Sequence, residues 1–349
     1  MNKNLLQKEV QTYINSNLNA DVSKIALAKS PFAELSSAAL AAQISAKKKA
    51  EKKLPTWFKT EGIVFPSTLS VEQTSSEDTA AYKQQLVKGD SLIDITAGFG
   101  VDSFYFSHKV DEMYSCEINA ELSAISAHNA TVLGRDNIKC LPIDGLAYLQ
   151  TSEKQFGTIY LDPARRNTRG KVFKLADCTP NVVENIDLLL RKTERIIIKT
   201  SPLLDLKAGL AELKQVSEIH IVSVKNECKE LLWVIDKGFN QTPKIVCVTL
   251  NTATKTITLP LHDNETTNYL NTSPSKGYLY EADAALMKSG AFNAIANHFS
   301  LQKLAKQSHL YYADQLHPSF IGRIFEIETV FTPNELKKEK DLQGNVIVR

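Results

Sequence analysis

Four acids recur in one part of the chain, each at the end of a short apolar run. They are Asp94 in "SLIDIT", Glu117 in "EMYSCEI", Asp144 in "IKCLPID" and Asp162 in "GTIYLDP". Any one of them would serve as a helix cap or a turn residue. At the tips of four successive runs, they point to a polar ligand held along one edge of a sheet. The first acid is followed by "TAGFG", whose glycines Gly98 and Gly100 let the backbone come close to a ligand. This spacing fits the first two positions of the dinucleotide fingerprint G-x-G-x-x-G, but Ser103 stands at the third. Glu117 fits an acid that holds ribose hydroxyls, whether the ligand is a dinucleotide or another adenosine-bearing molecule.

The elements that must position these residues follow from periodicity. From Leu92 to about Lys237, short β-branched runs alternate with helical stretches, which predicts a parallel sheet with helices on both faces. Ligands in such sheets bind at the carboxyl ends of the strands, near the switch in strand order. "SEIHIVSV" and "ELLWVID" are separated only by "KNECK", too short for a crossover helix, so they read as an antiparallel hairpin at the sheet edge. Residues 1–85 read as helical, with Pro31 near the start of a long second helix and Pro55 ending it. The five lysines between Lys47 and Lys53 lie at the end of that helix, as a solvated face or as a patch for phosphate. The expected division is a helical region at 1–85, a cofactor-binding domain at 86–240 and a small α+β region at 241–349. The last opens with a hairpin of "KIVCVTLN" and "KTITLPL".

Composition narrows the class. The chain has 349 residues, 43% hydrophobic and 23% charged, with a net charge of +2, so any basic surface must be local. Five cysteines without a C-x-x-C pair suit a reducing compartment, and seven scattered histidines predict no metal site. The polar start and the lack of a long apolar run predict neither a signal peptide nor a membrane span, with the cytoplasm as location.

Residues 72–240 resemble class I S-adenosylmethionine-dependent methyltransferases, and "DITAGFGVDSF" is similar to the D-x-T-A-G-x-G-x-D pattern of some ribosomal RNA guanine methyltransferases. The whole chain resembles a bacterial family of candidate methyltransferases with a ferredoxin-like segment, often followed by a THUMP-like domain. The sequence ends at Arg349, about where that domain would begin. The implied fold is α/β: a Rossmann-like, seven-stranded class I sheet with helices before it and a small ferredoxin-like α+β segment after it. The implied cofactor is S-adenosylmethionine. The resemblance places Asp94, Thr96, Ala97, Gly98 and Gly100 against its methionine part and ribose, with Asp102 near its amino group. It places Glu117 at the ribose hydroxyls, Ile118 beside the adenine, and Asp144 with Gly145 at the adenine amino group. Asp162 and Pro163 begin the segment where acceptor and cofactor meet.

Enzymes that methylate exocyclic base amines carry [DN]-P-P-[YFW] here, because the amine lone pair is delocalised into the ring and its hydrogens need acceptors. This chain has "DPARR", with Ala164 and Arg165 at the last two positions. Arg165, counted with Asp162 and Pro163 as catalytic, would stack on a base or pair with phosphate. Arg166 and Arg169 join it in a basic cluster, and Gln73 and Lys199 are expected on the acceptor side. Cys178 reads as a neutral thiol. The resulting expectation is methyl transfer to RNA, at an rRNA or tRNA base. The alternatives are a small-molecule or protein methyltransferase, or a noncatalytic RNA-binding protein that keeps the fold.

Overall fold

The computed structural model describes residues 1–165, 174–336 and 338. Two compact units emerge: residues 1–222 with 229–243, and residues 223–228 with the chain from Lys244 onward.

The first unit begins with six helices: α1 (Lys8–Ser16), α2 (Val22–Leu27), α3 (Ser37–Lys53), α4 (Pro55–Lys59), α5 (Thr68–Gln73) and α6 (Glu77–Lys83). Ser36 caps α3 by accepting from the Ala39 amide at 3.1 Å, so the helix begins six residues beyond Pro31. Pro55 does more than end α3, since it occupies the first turn of α4, where its missing N–H costs nothing. Trp57, Phe65, Phe99 and Phe104 are buried in one core shared by these helices and the segment after the glycine turn.

The strands then follow as β1 (Ser91–Asp94), β2 (Glu112–Cys116), β3 (Ile138–Leu141), β4 (Phe156–Leu161), β5 (Ala164–Arg165), β6 (Cys178–Thr179), β7 (Thr193–Thr200), β8 (Val216–Val224) and β9 (Glu227–Asp236). Helices α7 (Val101–Phe106), α8 (Ala120–Val132), α9 (Gly145–Thr151), α10 (Val182–Lys192) and α11 (Leu206–Glu212) are interleaved with them. Seven strands lie side by side in the order β8-β9-β7-β4-β1-β2-β3, and β5 pairs with β6 separately. Strands β1 to β4 and β7 are parallel, while β9 is antiparallel to β7. Helices on both faces explain the unbroken apolar runs: Ile196, Ile197 and Ile198, and Leu231 to Ile235, are all fully buried. Between β8 and β9, Lys225 and Asn226 both adopt positive φ, so the link is a two-residue turn shorter than "KNECK" suggests. The chain reverses its direction across the sheet between β1 and β4, which puts the switch point there.

The second unit has the antiparallel pair β10 (Lys244–Leu250) and β11 (Thr254–Leu259). It also has a four-stranded antiparallel sheet of β12 (Tyr278–Ala282), β13 (Gln302–Lys303), β14 (Leu310–Ala313) and β15 (Gly322–Glu326), in the order β13-β14-β12-β15. Helices α12 (Ala284–Ser289) and α13 (Phe292–His298) accompany it, and α14 (Pro333–Leu336) follows. Tyr280, Tyr311, Ile295 and Phe320 form its buried interior.

Candidate active site

The glycine turn is organised from below by Asp94. Its Oδ1 accepts from the Thr96 amide and its Oδ2 from the Ser103 hydroxyl, both at 3.0 Å. Asp94 is buried, and this raises its pKa to about 8, with Asp102 and Asp162 adding to the rise against the opposing bonds from Thr96 and Ser103. Ser103, the departure from the dinucleotide fingerprint, is thus the partner of Asp94. Thr96 Oγ1 accepts from the Asp162 amide at 2.7 Å, which joins the ends of β1 and β4. The Ala97 amide donates to the Cys116 carbonyl at 2.9 Å.

Above this base the turn is open. Gly98 has φ +57°, and a Cβ there would meet nothing within 4 Å. Gly100 has φ +80° and leads directly into α7. Both conformations are left-handed and favour glycine. The Gly98 amide donates to Glu117 at 3.0 Å, so the acid after β2 is held directly beside the turn. Ile118 is 69% exposed and Ile143 37% exposed. Two bare apolar side chains next to Glu117 and Asp144 suit the faces of a flat ring. Asp144 lies three residues past the end of β3 and caps α9, accepting from the Leu146 and Ala147 amides at 2.8 and 3.1 Å. Gly145 is buried: a Cβ there would sit 2.4 Å from the Ile95 side chain, so this glycine serves close helix–strand packing.

A buried cluster of charges lies behind the turn. Lys83, fully buried on α6, donates to both oxygens of Glu230 on β9 at 3.0 and 2.9 Å, and to Ser75 Oγ at 3.0 Å. Its Nζ is 3.1 Å from Asp102 Oδ1, close enough for an ion pair although without hydrogen-bond geometry. Asp102 Oδ2 accepts from the hydroxyls of Ser75 and Tyr160, both at 2.8 Å. Burial raises the Asp102 pKa, but Lys83 and Lys199 outweigh it and hold the carboxyl below its ordinary value. Burial dominates at Glu230 and at Tyr160, and both pKa values rise. Asp102 therefore already has a cation within the protein.

Asp162 follows β4 directly and forms an ion pair with Lys199, at the end of β7. Burial opposes the Lys199 charge, but Asp162, Glu230 and Asp102 outweigh it and raise the pKa of the ammonium. Pro163 is buried, and the backbone of Arg165 pairs with that of Cys178 in the β5–β6 ladder. Cys178 is buried, with its thiol 3.6 Å from the Lys174 carbonyl. Arg166 and Arg169 lie outside the described residues. Gln73 is exposed at the end of α5, next to Glu72, whose carbonyl accepts from Lys53.

The lysine run on α3 is no uniform solvated face. Lys47 is buried with its Nζ 5.7 Å from the Phe58 ring centre, Lys48 pairs with Glu51, and Lys49 pairs with Glu72. Lys53 is half-buried, and burial followed by Lys199 lowers its pKa to about 8. Sequence reading missed Lys83, Tyr160 and Glu230 and took Ser75 for a helix cap, because a lysine on an amphipathic helix and a glutamate in a strand carry no mark of joint burial. Exposed Ile143 had a usable signal, an apolar residue beside one of the four run-end acids.

Among the described residues, no group of histidine, cysteine or acidic side chains could hold a metal ion, and no helix is long and apolar enough to cross a membrane. Among curated proteins none matches the chain. Residues 278–320 match the family model of a ferredoxin-like domain. A protein of Porphyromonas gingivalis W83, described as a candidate methyltransferase, superposes with a TM-score of 0.85 at 29% identity, over 96% of this chain and 85% of its own. Two structures with bound S-adenosyl-homocysteine overlap only in part. A Streptococcus mutans candidate methyltransferase has a TM-score of 0.34 at 14% identity, over 45% of this chain and 94% of its own. TrmK of M. capricolum has a TM-score of 0.36 at 15% identity, over 46% of this chain and 68% of its own. The structural neighbours of the chain include proteins described as methyltransferases, and its residues 278–320 are a ferredoxin-like domain.

Proposed function

We propose that the protein transfers a methyl group from S-adenosylmethionine to RNA. The observation that carries the cofactor reading is the bond from the Gly98 amide to Glu117. It fixes a carboxylate beside a left-handed, unobstructed turn at the switch point of a parallel sheet, the arrangement a ribose needs. The residues around it fit the rest of an adenosine: Ile118 and Ile143 offer apolar faces, and Asp144 offers a carboxylate. The similarity to the Porphyromonas gingivalis protein over most of both chains supports the methyltransferase class.

When bound, the cofactor supplies a methyl group on a sulfonium sulfur. The protein's own residues do the rest. Gly98 and Gly100 bring backbone to the ligand without a side chain in the way. Glu117 accepts from ribose hydroxyls and is preset by the Gly98 amide. Asp162 and Lys199 orient the acceptor at the end of β4, with Thr96 fixing the Asp162 backbone. Alignment of the two reacting atoms and exclusion of water account for most of the acceleration in such a displacement. RNA is favoured by the lysine-bearing end of α3, where Lys52 is exposed and Lys53 half-buried, which suits a phosphate-bearing partner.

The test has two parts. Calorimetry with S-adenosylmethionine is expected to show binding, and no heat of binding sinks the enzyme reading. Incubation with labelled cofactor and cellular RNA, protein and metabolite fractions is expected to label RNA, with affinity falling steeply as salt rises. Label confined to protein or metabolites rejects the RNA part alone.

A further inference from the structure

We infer that the second unit carries a phosphate site of its own, where β11, the end of α13 and the segment before β15 meet, and that the site holds one nucleotide of an RNA strand. This rests on the RNA reading above and assigns the second unit a part in it.

Two hollows of about 460 and 600 Å³ adjoin there and share Ser300 and His317. The first is lined by Lys255 and Thr256 of β11, by His298 and Ser300 at the end of α13, and by His317 and Ser319. Among the described residues no acid lines it, in a chain whose 39 acids nearly match its 41 lysines and arginines. One ammonium, two imidazoles and three hydroxyls all donate to an anion, the imidazoles in either protonation state. Among the described residues no hydrogen bond or ion pair takes up any of these six side chains. The His317 amide donates to the Tyr280 hydroxyl at 2.8 Å, which anchors one wall.

The second hollow has a different chemistry. Asn268, Gln302 and Gln315 line it with amides, which pair with the edges of an unstacked base. Asp314 also lines it, and accepts from the Tyr312 hydroxyl at 2.5 Å. A cationic end beside an amide end matches the phosphate and the base of one nucleotide. Lys255, His298, Gln302 and Gln315 are all exposed, so the groove is open along its length. That suits a strand passing through, whereas sites for free small molecules bury most of their ligand.

Ser300 carries the argument further. It follows α13 with φ +55°, a left-handed position where glycine is the usual residue. The amides of Ser300 and Leu301 close the helix on the Asn297 and Ala296 carbonyls at 3.2 and 2.8 Å. Those bonds take up end carbonyls that would otherwise repel an anion. Glycine would make the same two bonds with less strain. What serine adds is a hydroxyl at the junction of the two hollows.

Fluorescence anisotropy of the full chain with a short, labelled, single-stranded RNA of mixed sequence tests the site. Lys255→Met combined with His298→Ala is expected to weaken binding about tenfold and to lower its salt dependence, while calorimetry shows S-adenosylmethionine binding unchanged. Ser300→Gly is expected to weaken RNA binding about threefold with an equal or higher melting temperature, which a purely structural serine would not do. Unchanged RNA affinity in both variants overturns the inference and leaves methyl transfer to RNA standing. Loss in the double variant alone upholds the phosphate site and rejects the part of Ser300. Adenosine monophosphate and inorganic phosphate serve as further probes. If they bind and RNA does not, and the double variant loses them, the phosphate site stands and its source is a free nucleotide. No binding of any probe overturns the inference. Failure of the RNA reading itself shows elsewhere, as label confined to protein or metabolites.

Discussion

The amide of Asp162 donates to Thr96 Oγ1 at 2.7 Å, so the ends of the first and fourth strands are fastened by one side chain. The glycine turn and the acceptor side cannot shift independently while that bond holds. The Thr96 hydroxyl supplies the acceptor for this part-buried amide, which a valine of the same shape would not. Thr96→Val is expected to destabilise the protein by about 1–3 kcal/mol through the unpaired amide, and to lower turnover more than cofactor affinity. Thermal melts and kinetics check this; equal loss of both kinetic quantities would argue that Thr96 only supports the turn.

Asp94 predicts a pH dependence of stability. Its folded pKa, about 8, lies above its unfolded value, so the folded protein keeps a proton that the unfolded chain loses near pH 4. The stabilisation is complete below the unfolded pKa and is lost as pH rises through about 8. Asp94→Asn fixes the neutral form and should flatten this part of the curve. Melting temperatures of the two proteins from pH 5 to 9 provide the comparison, and parallel curves would show that Asp94 ionises normally.

At Gly98 fold and ligand separate. A Cβ there meets nothing in the protein, so Gly98→Leu should cost only the strain of a left-handed leucine, about 1–3 kcal/mol. Its side chain would fill the space above the turn, and calorimetry should find cofactor binding abolished in a folded protein. Unchanged affinity would move the cofactor elsewhere.

Lys83 is fully buried among three partners. Lys83→Met takes from Asp102 and Glu230 the cation that contacts both, at an expected cost of about 3–5 kcal/mol. Replacing Lys83 and Glu230 together with methionine and leucine should recover part of that loss. A denaturant series on the single and double variants measures it, and additive losses would deny the coupling.

The sheet was legible in the sequence because strand and helix periods are local. Alternating β-branched runs and helical stretches required a parallel sheet, and acids at the run ends marked one edge of it. "TAGFG" showed a left-handed turn because only glycine takes that backbone conformation cheaply. The start of α3 moved from beside Pro31 to Ser36 because caps are settled by individual hydrogen bonds rather than by periodicity.

Electrostatics was decided only by the tertiary structure. Lys53, Lys83, Lys199 and Glu230 come from four elements spread over some 180 positions of the chain. Nothing local marks them as neighbours. Their charges act through space and through burial, both of which exist only after α3, α6, β7 and β9 have packed together. The sequence by itself determined the glycine turn and the parallel strands that the four acids follow. Packing determined that Asp162 meets Lys199.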